Sequence, residues 1–327
     1  MKKFIKVLLI VALIIVILVI VVIAALGKMA KEKNDRYYEY TNPVGAIEKK
    51  YTPMGSSEVS SIEFKSDTAQ IGRFVIYYPT ELEKETRKFP VVLWANGTGS
   101  KSDTYTSFLT HLSSWGFIVV SNDDENTRTG ESLNAGIDLL IKENEKSGSV
   151  LYQKIDLDNI GIGGHSQGGP AVFNMATIQP HADMIKTVYA VSATSSYHTK
   201  VFGDGWEYDI SKVNVPTLLT AGTQSFDAGT ATSADQESDE KAGIMQGICP
   251  LWSLEDNFRL LPDVDKVYVR KTNVDHGDSH LQFDAYMTAW FRYYLMNDAE
   301  AGNAFCGDNP ELLTNDHYQD FQSRKAE

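Results

Sequence analysis

The run Asn159-Ile160-Gly161-Ile162-Gly163 is short and apolar, and it passes through Gly164-His165-Ser166-Gln167-Gly168 into Gly169-Pro170-Ala171-Val172-Phe173. One serine held between glycines, after a strand and before a helix, has the pattern of a nucleophile elbow. Such a turn lifts the serine hydroxyl clear of the sheet edge and leaves no room for a Cβ on either side. Pro170 suits a first helical turn, and the helix it opens directs the positive end of its dipole at Ser166. An oxyanion formed there would be stabilised. A serine hydroxyl is a weak nucleophile at neutral pH, so it needs a base within hydrogen-bond reach, itself oriented by a carboxylate. The alternative is a glycine-rich turn carrying an idle surface serine.

In elbow hydrolases the acid and then the histidine follow the serine along the chain, on loops after later strands. His276 lies in Asn273-Val274-Asp275-His276-Gly277-Asp278, directly after the strand pattern Lys266–Arg270, and is the chosen base. His280 sits nearer the next helix, where it packs or caps. His165 belongs to the elbow and packs, and His111, His181, His198 and His317 have no favoured placement. Asp227 is the first carboxylate after the strand Val215–Ala221 and is the chosen acid; Asp235 and Asp239 compete with it, as does an ordinary solvated loop carboxylate. An oxyanion hole needs two backbone donors. They are read as the N–H groups of Gln167, just after the serine, and Thr98, in the loop Asn96-Gly97-Thr98-Gly99-Ser100. Asn96-Gly97-Thr98 also spells a glycosylation sequon, but a loop folded over a pocket is a poor acceptor.

The elements that must position these groups alternate. Ser61–Lys65 and Arg73–Tyr78 show the period-2 pattern of half-buried antiparallel strands, and Pro79 ends the second. Pro90–Ala95, Phe117–Val120, the elbow strand, Thr187–Val191 and Val215–Ala221 are apolar runs expected of strands covered on both faces. Helical spacing recurs over Tyr105–Trp115, Gly130–Lys146 and Leu281–Met296. Strand and helix in alternation predict a mostly parallel sheet with right-handed crossovers and helices on both faces, an α/β fold. Lys266–Arg270 reads as the last strand, and residues 223–247, rich in Asp, Ser, Thr and Gly, read as an insertion over the carboxyl edge of the sheet.

A chain of 327 residues with 43% hydrophobic content suits one large catalytic domain, placed at residues 60–327. From Val7 to Leu26 no side chain is polar or charged, enough to span about 30 Å as a helix. Residues 1–27 are therefore read as an uncleaved transmembrane anchor with a short cytoplasmic basic end, and residues 28–59 as a tether leading into the domain. A long cleaved signal peptide, giving a secreted enzyme, is the alternative. The expected arrangement is a single-pass membrane protein with its catalytic domain outside the cell. Residues 1–36 hold seven Lys and Arg against Glu32 and Asp35, a net of +5, which leaves −18 of the total −13 on the remainder. An acidic body repels nucleic acid and anionic lipid and favours neutral or cationic substrates. Cys249 and Cys306 could pair or stay as unrelated thiols; they have no metal-ligand spacing.

Asn96-Gly97-Thr98-Gly99, His111–Phe117, Gly164-His165-Ser166-Gln167-Gly168-Gly169, Asp275-His276-Gly277-Asp278 and Thr288-Ala289-Trp290-Phe291 together resemble the polyesterase-lipase and cutinase-like branch of α/β-hydrolases. The sequence is also similar to chlorophyllases and the dienelactone hydrolase group. The likeness runs from about Ile62 to the C-terminus. It implies a serine carboxylic ester hydrolase working through an acyl-enzyme on Ser166, with Asp227 and His276 as partners and no metal or organic cofactor. A small-molecule or polymeric ester would be the substrate. An acyltransferase using the same groups, or a binding module on a hydrolase scaffold, remain as alternatives. Two departures stand out: the stretch 223–247 is long for the family, and Thr98 stands where a loop aromatic is common.

Overall fold

The computed structural model describes residues 34–203, 205–233 and 247–326, with isolated positions 16, 18, 21, 22, 25, 28, 29 and 32 ahead of them. Most of the apolar run Val7–Leu26 lies outside the described residues, as do Asp235 and Asp239 of the 223–247 insertion. Among the described residues no helix is long and apolar enough to cross a membrane.

The chain divides into a unit of residues 1–42 and a unit of residues 43–327. In the first, Tyr37–Glu39 form a 3-10 turn beside an Arg36–Glu39 ion pair. The second is built on a nine-stranded sheet. Its strands are β1 Val59–Lys65, β2 Arg73–Pro79, β3 Phe89–Ala95, β4 Ile118–Asn122, β5 Ile155–His165, β6 Ile185–Val191, β7 Thr217–Gly222, β8 Lys266–Lys271 and β9 Tyr318–Arg324. They lie in the order β1-β2-β4-β3-β5-β6-β7-β8-β9. From β4 through β8 every pairing is parallel, while β1, β2 and β9 join antiparallel at the edges. Every residue of β3 and β7 is buried, as parallel strands covered on both faces require. The helices include α1 Ala46–Tyr51, α2 Thr106–Ser114, α3 Glu131–Glu145, α4 Gly168–Met175, α5 Ser196–Phe202, α6 Ser225–Ala228, α7 Leu251–Leu260 and α8 Asp284–Met296.

One face of the sheet carries α3 and α4, whose Leu133, Ile137, Ala171 and Val172 close over Leu93, Ile162 and Val120. The other carries α2 and α8, with Trp94 stacked edge-on to Phe108 and near Tyr189, itself against Phe291. β3 pairs with β4 on one side and β5 on the other, so successive crossovers diverge there. That divergence opens a crevice at the carboxyl ends of the strands, the usual place for a ligand in an open α/β sheet.

The compact unit begins at Pro43, and a buried charge network locks α1 into it. Glu48 meets Lys271 Nζ at 3.1 Å and accepts from the Tyr318 hydroxyl at 2.7 Å, Asn315 Nδ2 at 2.9 Å and the Val44 N–H at 2.9 Å. Burial opposes the Glu48 charge, but Lys271 and these donors outweigh it and hold the carboxyl below its ordinary range. The sheet does not end at Lys266–Arg270. β9 adds an antiparallel edge, and its Asp320, at φ 58°, leaves the extended backbone and pairs with Arg270 at 2.7 Å. Tyr318 and Phe321 stand apart among polar residues in β9, so no apolar run marks it in the sequence. Cys249 and Cys306 do not form a disulfide with each other.

His111, without an assigned role from sequence, anchors the same region. Its Nδ1 lies 2.7 Å from Asp284 and its Nε2 donates to the Pro53 carbonyl at 2.8 Å, with both side chains of the pair buried. Burial disfavours the imidazolium, yet Asp284 and the Pro53 carbonyl outweigh it and raise the pKa above 6.5. A raised folded-state pKa adds stability that is complete below 6.5 and is lost as pH climbs through the folded value. The melting temperature should therefore fall as pH rises above 6.5. His111→Gln, measured by thermal melts across that range, should lose this component; an unchanged slope in the variant would contradict the assignment.

Candidate active site

The elbow forms as its glycines require. A Cβ on Gly164 would sit 2.1 Å from the Gly168 carbonyl oxygen, and one on Gly168 would sit 2.3 Å from that of Ala95. This crossing of β5, β3 and the start of α4 is closer than any side chain permits. Ser166 takes φ 59°, a left-handed conformation costing about 1–2 kcal/mol in an ordinary residue. The turn is held by its surroundings: the Ser166 N–H donates to Val191 O at 3.1 Å, and the Ser166 carbonyl accepts from Gly169 and Thr194.

The half-buried Ser166 hydroxyl faces His276 Nε2 at 3.0 Å, and His276 Nδ1 lies 3.1 Å from Asp227 Oδ1. Since a carboxylate only accepts, the ring proton sits on Nδ1 and leaves Nε2 free to accept from the serine. Asp227 is fully buried, and its other oxygen accepts from the Ser192 hydroxyl at 2.6 Å and the Gly222 N–H at 2.5 Å. Asp275 Oδ1 takes the backbone N–H of both Asp227 and His276 at 2.9 Å, pinning the loops after β7 and β8 to each other.

The structure thus brings Ser166, His276 and Asp227 into one hydrogen-bonded series. Thr98 and Gln167 stand at the same edge, one in the exposed loop after β3 and one at the base of α4. Among the described residues no hydrogen bond within the protein takes either N–H. Gln167 Nε2 and the Gly99 N–H both donate to the Glu125 carbonyl, at 2.7 and 3.1 Å, so the loop and the elbow share an anchor. Asn96 is fully buried and donates to the carbonyls of Asn122 and Asp124, which closes it to glycosylation.

His280 packs rather than caps. It is buried against His165, Tyr105 and Phe108, and neither ring nitrogen has a hydrogen-bond partner among the described residues. Burial, with His276 nearby, pulls its pKa down to about 3. Burial, then His276 and His280, also holds His165 well below the ordinary histidine range. Both imidazoles stay neutral behind His276 and place no second positive charge beside it.

Above Ser166 opens a cleft of about 590 Å³. Thr98 and His276 form its polar base, and Phe202, Trp206, Phe226 and Ile248 give it apolar walls. Phe202 and Trp206 pack at 4.9 Å between ring centres, and Phe226 meets the His276 ring edge-on at 5.2 Å. Trp94 and Trp252 are buried in the core, whereas Trp206 faces the cleft. Ser192, Tyr105 and the wall aromatics were missed; only Phe226, adjoining Asp227, carried a positional signal.

Sheet order, crossovers and a strained serine between crossing glycines define an α/β-hydrolase. The sequence profile of the chlorophyllase family matches residues 53–230, and the chain belongs to that family. It is also similar to Cutinase 2 of Thermobifida cellulosilytica, 22% identical over 279 residues covering 83% of this chain and 91% of that one. Cutinase est2 of Thermobifida alba is 25% identical over 288 residues, 85% and 82% of the two chains. A bis(hydroxyethyl) terephthalate hydrolase of Streptomyces coelicolor is 24% identical over 258 residues, 76% and 70%.

Proposed function

We propose that the chain is a serine carboxylic ester hydrolase acting through an acyl-enzyme on Ser166. The observation that carries this reading is the pair of hydrogen bonds, 3.0 Å from Ser166 Oγ to His276 Nε2 and 3.1 Å from His276 Nδ1 to Asp227, at the base of an apolar cleft. Relatives named as cutinases and as a terephthalate ester hydrolase support it.

In this mechanism Ser166 Oγ attacks the ester carbonyl as its proton passes to His276 Nε2. The N–H groups of Thr98 and Gln167 hold the oxyanion, and Asp227 steadies the imidazolium through Nδ1. Collapse breaks the ester C–O bond, and the leaving alkoxide takes the proton from Nε2. Water then gives a proton to the same nitrogen and attacks the acyl-enzyme, and the second collapse returns the proton to Ser166 and frees the acid. The aromatic walls suit an apolar acyl or alcohol group, in a small molecule or a polymer chain end.

The full chain should release p-nitrophenolate from p-nitrophenyl esters and take a fluorophosphonate label on Ser166. Absence of both, across acyl chains from acetate to laurate, would sink the reading. The proposal includes tethering through residues 7–26, supported by their uninterrupted apolar sequence. Recovery of the full chain in the soluble fraction after expression would remove that part alone.

A further inference from the structure

Tyr105 lies behind the site, fully buried at the end of the loop that begins at Asn96. Its hydroxyl accepts the Gly97 N–H at 2.8 Å and lies 3.2 Å from His165 Nδ1. His165 Nε2 is 3.0 Å from the His276 carbonyl oxygen, which can only accept. Nε2 therefore carries the proton of the neutral ring, Nδ1 is bare, and the phenol donates to it. Burial pushes the Tyr105 hydroxyl up to about 12, so it keeps the proton that this bond needs. Each proton in the series has one place: Gly97 N–H to Tyr105, Tyr105 O–H to His165, His165 N–H to His276.

The series joins three separate segments. Gly97 precedes Thr98, His165 precedes Ser166, and the carbonyl belongs to His276 itself. No slack exists where they meet. A Cβ on Gly97 would lie 3.0 Å from the Tyr105 hydroxyl, 3.2 Å from His165 Nδ1 and 3.4 Å from Ser166 Cβ. Thr98 is thus bracketed by Gly97, tied to Tyr105, and by Gly99, tied to Glu125.

The geometry points to Tyr105 as a positioning residue that, through Gly97 and His165, sets the Thr98 amide at its working distance from the Ser166 hydroxyl. This inference rests on the hydrolase reading. Deleting the hydroxyl strips a buried N–H and a buried imidazole nitrogen of their partners together, and Thr98 and Gly99 of the oxyanion loop are on the exposed side. The loss falls on charge that develops after binding, so kcat suffers and KM does not.

Tyr105→Phe keeps the ring packed on Trp94, Phe108 and His280. In the full chain it should slow both fluorophosphonate labelling of Ser166 and kcat on p-nitrophenyl butyrate by about 10- to 100-fold, with KM within about twofold. Tyr189→Phe, which strips another buried hydroxyl, bonded to Thr220 and outside this series, should change neither rate. Labelling and kcat near wild type in Tyr105→Phe, or an equal loss in Tyr189→Phe, would overturn the inference. Should Tyr105→Phe fail to fold, Gly97→Ala decides, since it leaves the phenol in place and crowds it. A fall in kcat at constant KM supports the assignment, and unchanged kcat overturns it. Wild-type protein that the probe does not label removes the hydrolase reading and this inference together, whereas labelled wild type beside an equally reactive Tyr105→Phe removes this inference alone.

Discussion

Replacing Ser166 with alanine is expected to lower kcat on p-nitrophenyl butyrate by about 10⁶-fold, the scale seen when a serine nucleophile is removed from such a series. The hydroxyl is the group that faces His276 Nε2, and none of the other residues named at the base of the cleft offers a nucleophile beside that nitrogen. Alanine keeps a Cβ and so meets the same backbone restriction at φ 59°, which leaves the elbow strained to the same degree. The melting temperature should shift by only a few degrees, because one partly exposed hydroxyl is worth about 1 kcal/mol or less. Steady-state kinetics with a thermal melt separate the two effects. Activity retained above about one part in a thousand, in protein that melts normally, would take Ser166 out of the reaction.

Asp227→Asn should cost about 10⁴-fold in kcat, through the proton map and not through the fold. Asp227 accepts on both oxygens: one faces His276 Nδ1, and the other takes the Ser192 hydroxyl and the Gly222 N–H. An amide has one oxygen. The Gly222 N–H is fixed in the backbone and cannot accept, so the amide oxygen must turn toward it and the NH₂ toward His276. Facing a donor, Nδ1 must lose its proton, and Nε2 then carries a hydrogen that points at Ser166. The base is present in the wrong tautomer. Stability should change little, since each surrounding donor and acceptor keeps a partner. The pH profile gives a second readout: hydroxide replaces the missing base at high pH, so activity should recover as pH rises. A variant with near-normal kcat at pH 7 would remove Asp227 from its role.

The parts of this protein that were legible in its sequence are those where a local rule acts alone. Gly164 and Gly168 must be glycine because a Cβ there would fall 2.1 and 2.3 Å from a neighbouring carbonyl oxygen, and that demand is written in the residues themselves. The buried run Phe89–Ala95 and the helical spacing of Glu131–Glu145 record burial on both faces and on one face. Asp227 and His276 could be named because each is an early titratable residue on a loop that leaves a strand.

What depended on distant contacts was not legible. α1 read as tether because its stability comes from Lys271, Asn315 and Tyr318, more than 220 residues away. β9 is polar and pairs only because β8 offers it an edge. Phe202 and Trp206 look like any aromatics in a weakly patterned segment, and only the fold turns them toward Ser166.

The sequence by itself determined the class of chemistry, since residue type and local backbone geometry are enough to make an elbow, and it determined the alternation of strand and helix that builds the sheet. Tertiary structure alone decided which side chains converge on the serine and which hold its neighbours in place. Hydrogen bonds such as Tyr105 to His165 and Asp227 N–H to Asp275 join residues 60 and 48 positions apart, and no periodicity along a chain can encode a contact made only after it has folded.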